Sequence, residues 1–371
     1  MPPIRVLVVD DSVVVRRLVT DVLAADPDIE VVGSAANGLI ALTKLELMPV
    51  DVMTLDIEMP ELNGIETLAR LRAAKRKLPV IMFSTLTEKG AAATLDALAN
   101  GASDYVTKPS NMGSIIESRE SVRSQLIPKI KALVGRVPHR VAAPAPSHLP
   151  DSRPAQVPGP RSRPPEQPKV LAIGCSTGGP EALAKVLAGI PASFPLPIVV
   201  VQHMPPVFTR LFAERLDRDS ALHVVEATAG LPVVPGTVLV APGDFHLEVA
   251  ADPNRRGGVV TKLQQGPPEN YCRPAVDVLF RSVAATYRGG VLAVVLTGMG
   301  SDGCLGAAEI RKVNGAVLVQ DAKTSVVWGM PGAIAERGLA DEILPIGSIA
   351  NALVTRANRH GAASVATGRA M

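Results

Sequence analysis

At 371 residues the chain is too long for one ordinary core, and with 47% hydrophobic but only 3% aromatic residues it must fill its interiors with Val, Leu, Ile and Ala. The net charge of +3 is local: between Arg136 and Lys169 five Arg and one Lys face Asp151 and Glu166, a +4 that leaves the rest near −1 and excludes a basic nucleic-acid-binding face on the folded parts. No apolar run reaches a membrane span, and three widely spaced cysteines (Cys175, Cys272, Cys304) make neither a disulfide framework nor a zinc pattern.

In chain order, short apolar runs at Ile4–Val9, Glu30–Ala35, Val50–Leu55, Val80–Ser84 and Asp104–Thr107 read as strands. Amphipathic stretches at Ser12–Ala25, Gly38–Leu47, Gly64–Ala73 and Gly90–Asn100, and a last one over Ser114–Val134, read as helices. This alternation predicts a five-stranded, doubly wound parallel sheet of the flavodoxin-like type. The first strand begins within the opening residues with no charged leader before it, so a reduced, cytoplasmic protein is expected.

Asp10 and Asp11 end the first strand, Asp56 ends the third, Ser84 the fourth, and Lys108 follows the fifth. Open parallel sheets place their ligands at this carboxyl edge. Three carboxylates in one pocket repel one another unless a hard cation joins them, and Mg²⁺ suits such a site. Asp56 could then attack a phosphoryl group, with Lys108 and the Ser84 hydroxyl holding the new phosphate oxygens. On these residues the segment 1–110 resembles a two-component response-regulator receiver domain. The resemblance implies that Asp56 is the phosphoacceptor, that Asp10 and Asp11 hold the metal with it, and that Ser84 and Tyr105 are the switch positions. It also implies a cis Lys108–Pro109 peptide.

From 135 to 168 the periodicity vanishes under Pro, Arg, Ser and Ala, as expected of a flexible linker. Beyond it, strand runs at Val170–Cys175, Pro197–Gln202, Thr237–Ala241, Val291–Thr297 and Ala316–Gln320 alternate with helices at Pro180–Ala188, Thr209–Asp217, Ala275–Tyr287 and Gly303–Asn314. This predicts a Rossmann-like, doubly wound α/β domain. Strands after Leu222 and around His246–Thr261 read as an antiparallel hairpin inserted into it. The division expected is a receiver over 1–134, a linker over 135–168, a catalytic domain over 169–358 and a disordered tail over 359–371.

Gly174-Cys175-Ser176-Thr177-Gly178 satisfies G-x-S-x-G, a tight strand-to-helix turn that presents a serine above the sheet. The same turn could cradle a phosphate, but the spacing is not that of a dinucleotide fingerprint, and the next strand ends in Gln202-His203 rather than an acid. His203 shares the carboxyl edge with Ser176 and is the favoured base, ahead of His246 and His223. Asp302, after the strand at Val291, is the favoured orienting carboxylate, ahead of Asp244 and Asp277. Cys175 is expected to point inward.

Residues 170–350 closely resemble the catalytic domain of the chemotaxis protein-glutamate methylesterases. The resemblance rests on Gly-Cys-Ser-Thr-Gly-Gly (174–179), Gln-His-Met-Pro-Pro (202–206), Ala-Pro-Gly-Asp (241–244), Arg-Pro-Ala-Val-Asp-Val-Leu-Phe (273–280) and Leu-Thr-Gly-Met-Gly-Ser-Asp-Gly (296–303). It implies a Ser176–His203–Asp302 triad, with the backbone N–H groups of Thr177 and Met299 as oxyanion hole. It further implies methyl-accepting chemoreceptors as substrates, a chemotaxis histidine kinase as phosphodonor, glutamine deamidation as a second activity, no cofactor for the esterase, and neither nucleic-acid binding nor membrane insertion.

Overall fold

The computed structural model describes residues 2–108, 115–135 and 166–358. The expectations for the Lys108–Pro109 peptide, for most of the linker and for the tail lie outside the described residues. The chain divides into two compact units, Met1–Val137 and Pro138–Met371.

The first unit runs β1 (Ile4–Val9), α1 (Val13–Ala24), β2 (Ile29–Ala35), α2 (Gly38–Leu47), β3 (Val52–Asp56), α3 (Gly64–Ala73), β4 (Val80–Ser84), α4 (Glu88–Ala99), β5 (Asp104–Thr107), α5 (Ile115–Leu133). Its five strands lie in the order β2-β1-β3-β4-β5, all parallel. Buried Val, Ile and Phe of β1, β3 and β4 form a core with Val22, Leu23, Leu126 and Ile130 from α1 and α5. The first four helices each start on a polar cap, Ser12, Asn37, Asn63 and Thr87, whose side-chain oxygen accepts a first-turn N–H. These caps fix where each strand-to-helix loop ends. The order of strand addition reverses between β1 and β3, which carry Asp10 and Asp56 at their tips, so a crevice opens there.

The second unit continues with β6 (Val170–Cys175), α6 (Gly179–Ala188), β7 (Ile198–Gln202), α7 (Phe208–Asp219), β8 (His223–Glu226), β9 (Thr237–Val240), β10 (His246–Ala251), β11 (Val259–Gln264), α8 (Val276–Tyr287), β12 (Val291–Val295), α9 (Cys304–Lys312), β13 (Ala316–Gln320), α10 (Met330–Glu336), β14 (Glu342–Leu344), α11 (Ile346–Asn358). Seven parallel strands lie in the order β14-β13-β12-β6-β7-β9-β8, and β10 and β11 form a separate antiparallel pair. One expectation needs correcting. The strand after Leu222 is β8, which pairs parallel with β9 at the sheet edge; only the segment around 246–264 is the hairpin. As an edge strand β8 buries only Val224 fully, and that half-exposed pattern imitates a hairpin strand.

The switch point of this larger sheet lies between β6 and β12, with β7 next to β6. Three helices near it, α6, α8 and α9, begin at Gly178, Ala275 and Gly303 with no side-chain cap. Their first N–H groups are thereby left for other acceptors at the carboxyl edge.

Candidate active site and phosphoacceptor site

In the first unit the sheet edge gathers Asp10, Asp11 and Asp56, whose carboxylate oxygens lie within 4.8 Å of one another. Lys108 reaches between the two buried ones, its Nζ 2.8 Å from Asp56 Oδ2 and 3.0 Å from Asp10 Oδ2. The second approach is close but misaligned, and Asp10 Oδ2 is a buried atom with no hydrogen-bond partner. An orphaned carboxylate oxygen beside two further carboxylates fits a hard, oxygen-seeking cation such as Mg²⁺. The Ser84 hydroxyl donates to the Gly90 carbonyl (3.1 Å) and accepts from Thr94 Oγ1 (2.6 Å), so it is turned toward α4. Tyr105 is buried, its carbonyl accepts from Lys129 Nζ at 2.8 Å, and the ammonium stands 5.2 Å from the ring centre.

Burial pushes the Asp56 carboxyl up to about 6, and Asp10 adds to the rise, while Lys108 opposes it. The Lys108 ammonium is also held above its ordinary value: burial lowers it, but its two carboxylate partners outweigh that. The rise favours the neutral form of Asp56 and the charged form of Lys108. A carboxyl raised in the folded state contributes stability at acid pH that is lost as pH rises through about 6. Ionised Asp56 therefore costs the first unit roughly 3 kcal/mol at neutral pH. Asp56→Asn is expected to raise the thermal midpoint of that unit by several degrees near neutral pH and hardly at all below about pH 4. Calorimetry of the full chain at the two pH values checks this, and equal shifts at both would contradict it.

In the second unit, β6 ends in Cys175 and delivers Ser176, half-buried, into the turn before α6. Cys175 points inward, with its thiol 3.7 Å from the Val201 carbonyl. Two glycines let the turn close. A Cβ on Gly179 would stand 2.1 Å from Gln202 Oε1, and one on Gly298 would stand 2.9 Å from the Ser176 Cβ. β6 and β7 pair Cys175 with Gln202, so Ser176 and His203 leave adjacent strand tips side by side. Gln202 ties them together: its Nε2 donates to the Ser176 carbonyl (3.0 Å) and the His203 carbonyl (3.3 Å).

His203 Nε2 lies 2.8 Å from Asp302 Oδ2. Asp302 is 2% exposed yet well supplied with donors: Val276 N (2.6 Å), Asp277 N (3.0 Å), Gly303 N (2.9 Å) and Asn270 Nδ2 (3.0 Å). The first two are the uncapped N–H groups that open α8. Burial alone would raise the Asp302 carboxyl, but His203 and these backbone donors hold it below its ordinary value. Asp277 does not touch His203; it shares Asn270 with Asp302, and burial plus the Asp302 charge push it up to about 6. Asp244 is paired with Arg273, His246 is buried between Pro267 and Ala275, and exposed His223 pairs with Asp217, so none of the three joins the cluster.

The Ser176 hydroxyl itself makes no hydrogen bond among the described residues. His203 Nδ1 instead faces the Cys272 thiol at 3.5 Å. Burial disfavours a charged imidazole, but the neighbouring Cys272 and Asp302 outweigh it and raise His203 above its ordinary value, which makes it a stronger proton acceptor. Met299 is half-buried, and its backbone N–H has no acceptor among the described residues, next to Gly298 packed on Ser176. The Thr177 carbonyl accepts from Thr297 Oγ1 at 2.9 Å.

Sequence reasoning missed Asn270 and Cys272. They sit in a tight turn where Glu269 and Cys272 exchange backbone hydrogen bonds, and Asn270 (φ 51°) and Tyr271 (φ 63°) are both left-handed. The asparagine, a residue that tolerates this conformation, is the one local signal for it.

Fold and site together define a receiver joined to a doubly wound α/β domain that carries an elbow serine. Residues 6–120 match the response regulator receiver domain and residues 171–353 the CheB methylesterase family. The chain belongs to the protein-glutamate methylesterase/protein-glutamine glutaminase family. It is 55% identical over 371 residues to the Nocardioides sp. protein of that name, covering 99% of both chains. It is 49% identical to the Trichodesmium erythraeum protein, covering 96% of this chain and 99% of that one. A crystal structure of the Thermotoga maritima CheB methylesterase catalytic domain matches 50% of this chain and 97% of its own at 45% identity and a TM-score of 0.49. No helix among the described residues is long and apolar enough to cross a membrane.

Proposed function

We propose that this chain is a phosphorylation-activated esterase of chemotaxis adaptation. It hydrolyses glutamyl methyl esters on methyl-accepting chemoreceptors, releases methanol, and deamidates receptor glutamines by the same route. The observation that carries the reading is the 2.8 Å contact of His203 Nε2 with Asp302 beside the elbow serine. With Nε2 committed to Asp302, Nδ1 is the nitrogen that takes the Ser176 proton as Oγ attacks the ester carbonyl. The oxyanion is held by the backbone N–H groups of Thr177 and Met299. Collapse expels the methoxy group, which leaves as methanol with the proton from His203. Water then attacks the acyl-serine, giving a proton to the same nitrogen, which passes it to Ser176 Oγ as the acyl–oxygen bond breaks and the freed carboxyl group departs.

In the receiver, Asp56 accepts a phosphoryl group from a chemotaxis histidine kinase, and Lys108 and Ser84 hold the new oxygens. Asp10, Asp11 and Asp56 would hold Mg²⁺, which when bound offsets the negative charge of carboxylates and phosphate. The chain works in the cytoplasm at receptor arrays.

The test measures methanol release from methylated receptor with and without acetyl phosphate. The full chain is expected to accelerate several-fold with the phosphodonor, while Asp56→Asn keeps the basal rate and loses the acceleration. Absence of methanol in either state would remove the reading.

A further inference from the structure

Three thiols occur in the chain, and only one is both accessible and in contact with a base. Cys175 and Cys304 are buried and face the carbonyls of Val201 and Ala333. Cys272 is half-buried, and its Sγ lies 3.5 Å from His203 Nδ1, while Asp302 Oδ2 holds the opposite nitrogen at 2.8 Å. Thiol, imidazole and carboxylate in line are the parts of an activated cysteine: a nucleophile within reach of a base that a third group orients. The Ser176 hydroxyl, by contrast, makes no hydrogen bond among the described residues. The tight turn at 269–272 fixes the thiol in place, since Glu269 and Cys272 exchange backbone bonds and Arg281 pairs with Glu269.

We infer that Cys272 is a peroxide-sensitive modification site whose oxidation arrests the esterase by occupying His203. In the step, the Cys272 sulfur attacks one oxygen of hydrogen peroxide, and an S–O bond forms as the O–O bond breaks. Sulfur is oxidised and the peroxide reduced. The thiol proton passes to His203 and on to the departing hydroxide, which leaves as water, so the products are a cysteine sulfenic acid and water. The sulfenic hydroxyl then stands between sulfur and imidazole and takes the Nδ1 position that the Ser176 proton needs. A dithiol reverses the change: its sulfurs are oxidised to a disulfide, water is released and the Cys272 thiol returns.

The arrest of activity rests on the function proposed above; the oxidation itself does not. The experiment treats the full chain with hydrogen peroxide, traps sulfenic acid with dimedone, maps the adduct by mass spectrometry and follows methanol release before and after dithiothreitol. The expected result is a dimedone adduct on the peptide carrying Cys272, a fall in rate of about tenfold or more, and recovery with dithiothreitol in samples not trapped. The Cys272→Ala chain is expected to keep its own untreated rate through the same treatment. His203→Gln should slow adduct formation about tenfold, a readout independent of any substrate. The inference is overturned if Cys272 carries no adduct, if it does so at full rate, if His203→Gln oxidises as fast, or if Cys272→Ala is inactivated equally, which would locate the damage at a methionine. An untreated chain that released no methanol would defeat the proposed function, while the adduct and its dependence on His203 would still decide this one.

Discussion

Ser176→Ala is expected to leave a folded chain whose methanol release falls by about a thousandfold or more, with little change in stability. The size of the loss follows from position. Ser176 is the half-buried hydroxyl directly after β6, and on the proposed mechanism the neighbouring Met299 N–H would retain only the residual help that an oxyanion donor gives without a nucleophile. The side chain is half-buried and makes no hydrogen bond among the described residues, so truncating it strands no partner. Cys175→Ala makes the complementary case. Its thiol points into the core, so the change should cost stability through a small cavity while methanol release persists. Parallel kinetics and thermal melts of the two variants separate them. Full activity in Ser176→Ala would end the proposed chemistry.

Asp302→Ala is expected to do more, damaging rate and fold together. Five donors converge on this carboxylate: the backbone N–H groups of Val276, Asp277 and Gly303, the Asn270 amide and His203 Nε2. Removing the acceptor leaves them unpaired in a site that is almost fully buried, a loss of about 3–5 kcal/mol. His203 loses its orientation at the same time, and rates in such sites fall by about 10⁴-fold. Because the folded state holds the Asp302 carboxyl below its ordinary value, its stabilisation is present at neutral pH and fades as pH falls through the carboxylate range. The gap in thermal midpoint between the parent chain and Asp302→Ala should therefore narrow on acidification. A variant with unchanged stability at neutral pH would contradict the geometry.

The sheets were legible because their signals are strong. Runs such as Ile198–Gln202 and Val291–Val295 are buried at every position, and Ser, Asn and Thr caps punctuate the first unit. The tips of those strands carried the residues singled out for chemistry, so Asp10, Asp56 and Lys108 meet, as do His203 and Asp302. Shorter or less periodic elements were not legible. β14 spans three residues, α10 begins on Met330-Pro331 beside Gly329, and the edge strand β8 imitated a hairpin. Asn270 and Cys272 escaped for another reason. They come from a turn far along the chain from Ser176 and His203, and only tertiary packing against Asp277, Asp302 and His203 gives them partners.

The amide of Gln202 has a mechanical consequence. By holding the carbonyls on either side of the crevice, it makes the two strand tips a single rigid frame, with its own oxygen buried against Gly179. Hydroxyl and imidazole can then come together only by torsion of their own side chains. Because His203 is held on both ring nitrogens, by Asp302 and Cys272, the adjustment falls to the half-buried Ser176 side chain, whose single torsion moves only one hydroxyl.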